Sequence, residues 1–387
     1  MPIVNSIAGM KEEIAEWRRD LHAHPELMYE VSRTAGIVAE KLRAFGCDEV
    51  VEGIGRTGVV GVIRGAGGGG KTVGLRADMD ALPIEERTGA PYASKTPGVM
   101  HACGHDGHTA MLLGAAKHLA ETRRFAGTVV VIFQPAEEGG AGGKAMVDDG
   151  LMDRWAIDEV YGMHNMPGLP TGEFAIRPGP FLASSDEFTI SVRGKGGHAA
   201  IPQLAVDPGL AAAQIVIALQ SIVSRCMDPV ASMVFSVTSF TTDTDAFNVI
   251  GDAVELRGTA RCFANGDRAL ARDRLTSIAE RTAAAFGAAA AVDWADGYPP
   301  TINDPERAMF AAAAAEEVAG ACIRDAPPVM PAEDFAYMLE ARPGAMIFLG
   351  NGDTPMCHHP EYDFDDDAIP AGASFWVRLA ERACPLA

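Results

Sequence analysis

The chain has 387 residues, too many for one ordinary hydrophobic core, so two domains are expected. Hydrophobic residues make up 48% and charged residues 22%, ordinary globular usage, and the net charge of −20 without a lysine- or arginine-rich run argues against nucleic-acid binding. Apolar stretches are interrupted by charge or glycine within about a dozen residues, too soon for a membrane span, and seven scattered cysteines point to reduced thiols and a cytoplasmic location.

The first twenty residues read as an amphipathic helix, not a secretory leader. VVGVI (59–63), TVGLRAD (72–78), TVVVIFQP (128–135) and EVYGMHN (159–165) read as strands buried on both faces, with GGGG (67–70) a hairpin or loop tip. TAMLLGAAKHLAE (109–121) has helical period and propensity. This alternation predicts an α/β layer with a mostly parallel sheet. Past residue 183 the texture changes. A half-buried strand begins at DEFTISVRG, then a long helix (DPGLAAAQIVIALQSIVSR), two strands (ASMVFSVTSFTT and AVELRGTARCF) and a helix over about 267–288 follow. That order suits a small two-layer α+β domain. An Ala-rich helix (305–320), the strand MIFLGN and a last helix from 370 then return to the first texture. The expected organisation is a catalytic domain from 1–182 and 295–387, with 183–294 inserted.

Candidate chemistry gathers at the ends of the predicted strands, where α/β sheets place their sites. Cys103-Gly104-His105 puts a thiol and an imidazole two residues apart in a turn, able to face one ion. On its own the pattern is equally a packed cysteine and a helix-capping histidine. Glu137 and Glu138 directly follow a buried strand, and adjacent side chains diverge, so one could bind a metal while the other addresses a water. The bland alternative is an acidic helix start. His164 closes a strand and His358 opens a loop, positions more often held by structural hydrogen-bonders. Together, Cys, His and Glu donors suit zinc, manganese, nickel or cobalt rather than calcium. Asp78 and Asp80 end another strand and could orient a ligating imidazole, or merely form the turn before Pro83.

RRDLHAHPEL, RADMDALP, MHACGHDGHTAMLLGAA, FQPAEEGGAGGKAM, GMHN, GKGGHAAIP, AEDFAYM and HHPEYDFDD, in this order, resemble the N-acyl-amino-acid amidohydrolases of the hippurate hydrolase kind. That group includes the plant hydrolases of indole-acetyl-amino acids, within the aminoacylase/carboxypeptidase superfamily of two-metal hydrolases. The resemblance spans essentially the whole chain. It implies that Cys103, His105, Glu138, His164 and His358 hold two divalent ions, that Glu137 is the general base, and that Asp80 supports the site through a metal ligand. His101, Asp106 and His108 then become supporting residues, while Asp78 stands where the wider superfamily has a histidine. The inserted domain is implied to be a lid or dimerisation domain. Its His198 would reach a neighbouring subunit's site to stabilise the oxyanion, and Asn248 and Arg261 would hold substrate. His22 and His24 receive no role.

The implied reaction cleaves the amide bond of a small N-acyl amino acid, giving a carboxylic acid and a free amino acid, in a homodimer or dimer-based homotetramer. Three rivals stand beside it. A metallo-dipeptidase or carboxypeptidase would use the same site and prefer unblocked dipeptides. A metal store would leave Glu137 without a purpose. A Cys103 nucleophile would resist chelators and fail on alkylation.

Overall fold

The computed structural model describes residues 3–386. After a one-turn helix at Asn5–Gly9 come helices α1 (Lys11–Ala23) and α2 (Ser32–Ala44) and strands β1 (Glu49–Ile54), β2 (Gly58–Arg64) and β3 (Thr72–Asp78). Helix α3 (His105–Thr122) and strands β4 (Thr128–Gln134), β5 (Glu159–Met166) and β6 (Phe174–Ala175) follow. Then come β7 (Asp186–Arg193), β8 (Gly197–His198), α4 (Pro208–Leu219), β9 (Met233–Thr242) and β10 (Val249–Ile250). Strand β11 (Ala253–Cys262), α5 (Asn265–Ala285) and β12 (Ala289–Ala295) complete that stretch, and α6 (Pro305–Ala319), β13 (Gly344–Gly350) and α7 (Ile369–Ala383) close the chain.

Two compact units result. One runs up to Phe181 and resumes at Ile302–Pro327 and from Asp334; the other comprises Leu182–Thr301 and Pro328–Glu333. The second is larger than the 183–294 expected, for a physical reason. Ala183 donates its amide to the carbonyls of Val329 (3.1 Å) and Pro331 (3.2 Å), and Ser185 donates to Tyr298 (3.0 Å), so these outlying segments hydrogen-bond into it.

The first unit is built on a seven-stranded sheet, β1-β2-β4-β3-β5-β13-β6. It is mixed, not mostly parallel. The four inner strands β4, β3, β5 and β13 are parallel, but β1–β2, β2–β4 and β13–β6 are antiparallel. The three residues between β1 and β2 can join only an antiparallel pair, and this hairpin reverses the sheet edge. The GGGG run joins β2 to β3, which are not neighbours, and is therefore a loop. Strands β3 and β4 are buried along almost every residue, which is why they read as unbroken apolar runs. Helix α3 is buried from His105 to Ala120, Lys117 apart. Enclosing Met111, Leu112, Leu113 and Leu119 within it contributes roughly 1.5–3 kcal/mol each.

The second unit holds a four-stranded antiparallel sheet, β9-β11-β7-β12. Strand β7 alternates buried and exposed residues, and Phe188, Ile190 and Val192 join Ala211, Ala212, Ile215 and Leu219 of α4 in one core. Asp207 caps α4 by accepting from the amides of Gly209 and Leu210, ahead of Pro208. The long helix read from the sequence ends at Leu219 and continues as a wider turn, Ile222–Cys226. Pro208–Cys226 is long and apolar enough (mean hydropathy 1.4) to meet the length and composition of a membrane span. One side of α4 packs on the sheet, and Gln214, Gln220 and Arg225 interrupt the stretch.

Candidate metal centre

The four parallel strands end at one edge of the sheet, and the candidate residues follow those ends. Asp78 closes β3 and Asp80 lies two residues on; Glu137 and Glu138 follow β4; His164 lies near the end of β5; His358 follows β13. The loop after β3 delivers Cys103 and Gly104 to the start of α3, whose first residue is His105. Gly104 has φ +85°, and a Cβ there would collide with both Asn165 Nδ2 and Tyr362 Oη, so this turn needs glycine.

Hydrogen bonds fix which ring nitrogens face inward. His105 Nδ1 donates to the Asp80 carbonyl (2.8 Å), and His164 Nδ1 donates to the Asn165 carbonyl (2.6 Å), turning both Nε2 atoms to the centre. His164 Nε2 lies 3.3 Å from Cys103 Sγ. His358 Nε2 lies 3.3 Å from Glu138 Oε1. Donor atoms of Cys103, His105 and His164 fall within 4.8 Å of one another, and so do those of Cys103, Glu138 and His358. The two sets share the Cys103 sulfur.

The residues present fit metal ions. His105 Nε2 is buried with no hydrogen-bond partner among the described residues, 3.9 Å from the equally buried Glu138 Oε1. A neutral ring nitrogen buried this way costs a few kcal/mol unless a cation meets it. The charges of the two residues already respond to one another. Burial resists charging His105, but Asp78, Asp80 and Glu138 hold its pKa well above the ordinary value. Burial likewise opposes ionised Glu138, yet the adjacent His358 imidazole and the nearby His105 pull its pKa down.

Two carboxylates organise the surroundings. Asp80 accepts from the amides of Glu137 (2.9 Å) and Glu138 (3.1 Å), so it places both glutamates, and burial raises its pKa. Asp334 donates its amide to Glu137 Oε1 (3.4 Å). The Asp334 carboxylate is itself held by Arg76 Nη2 (3.0 Å), Gln134 Nε2 (2.7 Å) and the Gly143 amide (2.7 Å). Arg76 also donates to Asp78 (2.6 Å), and Asp78 in turn accepts from His108 Nδ1 (2.6 Å). Arg76, Gln134, Asp334, Asn165 and Tyr362 were missed as site residues, though RADMDALP, AEDFAYM and GMHN contain most of them.

The remaining histidines sort cleanly. His108 has both nitrogens engaged, because its Nε2 accepts from the Asn165 amide (2.9 Å); it is neutral and structural. His22 lies between Asp106 (2.9 Å) and Glu86 (3.3 Å), which outweigh burial and raise its pKa to about 9. His101 is buried, which pushes it down to about 4, and belongs to none of the donor clusters found among the described residues. His24 Nδ1 bonds the Asp20 carbonyl at the surface.

In the second unit, exposed His198 and Asn248 come together: β8 pairs with β10, and Ala199 donates to the Asn248 carbonyl (2.9 Å). Both line a groove of about 440 Å³ with Asp243, Thr244 and Asp252. His198 Nδ1 accepts from the Ala200 amide (3.0 Å), leaving Nε2 to carry the proton. Arg261 is not with them. It lies eight residues along β11 from Ala253, which pairs beside this groove, a distance of about 26 Å at ~3.3 Å per residue. Its Nη1 donates to the Met330 carbonyl (3.4 Å).

Residues 74–382 match the family model for peptidase family M20/M25/M40. The chain belongs to that family. It is 41% identical to the hippurate hydrolase of Campylobacter jejuni, over 98% of this chain and 99% of that one. It is 39% identical to the N-acetyl-L-cysteine deacetylase of Bacillus subtilis, over 97% and 89%. A crystal structure of a dinuclear metal-binding M20 peptidase from Bacillus subtilis superposes with a TM-score of 0.86 at 34% identity, covering 96% of this chain and 98% of that one. This M20 member is a metal-dependent amide hydrolase.

Proposed function

We propose that this M20 enzyme hydrolyses the amide bond of small N-acyl amino acids, of the hippurate or N-acetyl kind, to a carboxylic acid and a free amino acid. The observation that carries the reading is the pair of three-donor sets sharing Cys103, with buried Glu137 beside them. Cys103, His105, Glu138, His164 and His358 would hold two divalent ions, for which zinc, manganese, nickel or cobalt suits the donors. Bound there, the ions would supply polarisation of the amide carbonyl and acidification of a water.

The chain's own groups do the rest. Glu137 takes the proton of the attacking water and returns it to the leaving nitrogen; the Asp334 amide and Asp80 keep its carboxylate in place. The unit centred on residues 183–294 acts as lid and dimerisation domain. His198 Nε2–H, offered by a second copy, donates to the carbonyl oxygen as it gains charge, with Asn248 beside it. Arg261 pairs with the substrate carboxylate. Its place eight residues along β11 from the end beside the His198 groove supports their coming from different copies. The homodimer is further supported by β9, a ten-residue edge strand with exposed Phe240, and by exposed Leu210 and Ile217 on α4. Seven free thiols favour a cytoplasmic site of action.

The test is a substrate panel of hippurate, N-acetyl-amino acids and unblocked dipeptides, assayed with added Mn, Zn, Co and Ni. N-acyl substrates should be turned over with the higher kcat/KM. Preference for unblocked dipeptides would make the enzyme a dipeptidase built on the same site.

A further inference from the structure

Two thiols meet at the metal centre, and only Cys103 has a place in the proposed ligand set. The second is Cys357, immediately before His358 and partly exposed, whereas Cys103 is buried. Three contacts join their positions. The His358 amide donates to the Ala102 carbonyl (2.7 Å), so residues 103 and 357 flank one main-chain hydrogen bond. Asn165 Nδ2 donates to the Cys103 carbonyl (2.5 Å), while its Oδ1 lies 4.0 Å from Cys357 Sγ. A disulfide needs Cα atoms only ~4.4–6.8 Å apart, a reach suited to two segments joined by a main-chain hydrogen bond beside each cysteine.

We propose that Cys103 and Cys357 are an oxidative modification site: a hydroperoxide converts them to an intramolecular disulfide whenever no metal holds the Cys103 sulfur, and the disulfide then bars metal from the centre. The inference rests on Cys103 being a metal ligand. Cys357, the more exposed thiol, attacks one peroxide oxygen. The O–O bond breaks, leaving a sulfenic acid on Cys357 and releasing an alcohol, or water from hydrogen peroxide. The Cys103 sulfur then attacks the Cys357 sulfur. An S–S bond forms, the S–O bond breaks, and hydroxide leaves with the Cys103 thiol proton as water. Two thiols lose two electrons in total and one peroxide gains them. A disulfide sulfur carries no thiolate charge to offer a cation, so the two states exclude one another.

The test uses the full-length protein twice, metal-loaded and after chelation, each treated with hydrogen peroxide and mapped as non-reduced peptides. In the chelated protein one Cys103–Cys357 cross-link should appear, free thiols should fall from the seven of the reduced chain by two, and zinc uptake should drop at least tenfold until dithiothreitol restores it. The loaded protein should keep all its thiols under the same dose. Cys357→Ser, or Cys357→Ala should the serine variant misfold, should retain wild-type turnover and metal content and form no cross-link. Recovery of both cysteines free, or separately over-oxidised, in a protein that still binds two ions would overturn the disulfide alone. Equal cross-linking in loaded protein with its ions retained would overturn metal exclusion, and with it the ligand role of Cys103.

Discussion

Replacing Glu137 by glutamine removes one charge and almost nothing else. The glutamine would keep an oxygen for the Asp334 amide now 3.4 Å from Oε1, and Asp80 would still hold the main-chain amides of residues 137 and 138 at 2.9 and 3.1 Å. The carboxylate lost is buried beside the acids Glu138 and Asp80, so folding stability should change by no more than about 1 kcal/mol. The amide cannot accept a proton from water. Losing a general base costs about 10²–10⁴ in turnover, which is ~2.7–5.4 kcal/mol on the barrier. Glycine release from hippurate measures the rate, elemental analysis the metal, and urea denaturation the stability. Turnover within tenfold of wild type at equal metal content would refute the assignment and place water activation on another group.

His198→Ala should lower turnover while leaving bound metal unchanged, and mixing it with Glu137→Gln should restore activity once subunits exchange; verified heterodimers without recovery would mean that His198 does not act in trans. His22 should make stability pH-dependent: its pKa is raised to about 9 by Asp106 and Glu86 against burial, so its contribution is complete below about 6.5 and fades as pH rises through 9. That gap is worth at most ~3 kcal/mol, and His22→Gln should therefore cost most near pH 6 and little above pH 9 in urea denaturation. Gly104→Ala must place a methyl against Asn165 and Tyr362 at φ +85°, and should lower stability by about 1–3 kcal/mol in the same assay, with a parallel loss of metal.

Much of the first unit was legible because β3 and β4 are covered on both faces and so carry unbroken apolar runs, and because parallel strands collect functional groups at one edge. The direction of β2 was not legible, since an apolar run looks the same whichever way it points. His105 and His108 lie one helical turn apart on α3 and differ only in partners brought from far along the chain. Asp78 and the Asn165 amide occupy His108, while the Asp80 carbonyl takes one nitrogen of His105 and frees the other. The support given to Glu137 by Asp334 joins residues 197 positions apart, and Arg76 completes it from β3. No spacing rule finds such contacts. Asn248 and Arg261 look close in sequence, yet a hairpin and the length of β11 carry them apart.

The claim on which everything else rests is a two-ion centre that shares the Cys103 sulfur. Equilibrium dialysis against zinc, followed by elemental analysis of wild type and Cys103→Ser, tests it most directly. Wild type should bind two ions per chain. Because both of the donor sets assigned to the ions contain this sulfur, out of the five groups that could hold one, the serine variant should lose affinity at both positions together, with Glu137 and the fold intact. One ion per chain in wild type, or two retained with undiminished affinity in Cys103→Ser, would contradict it.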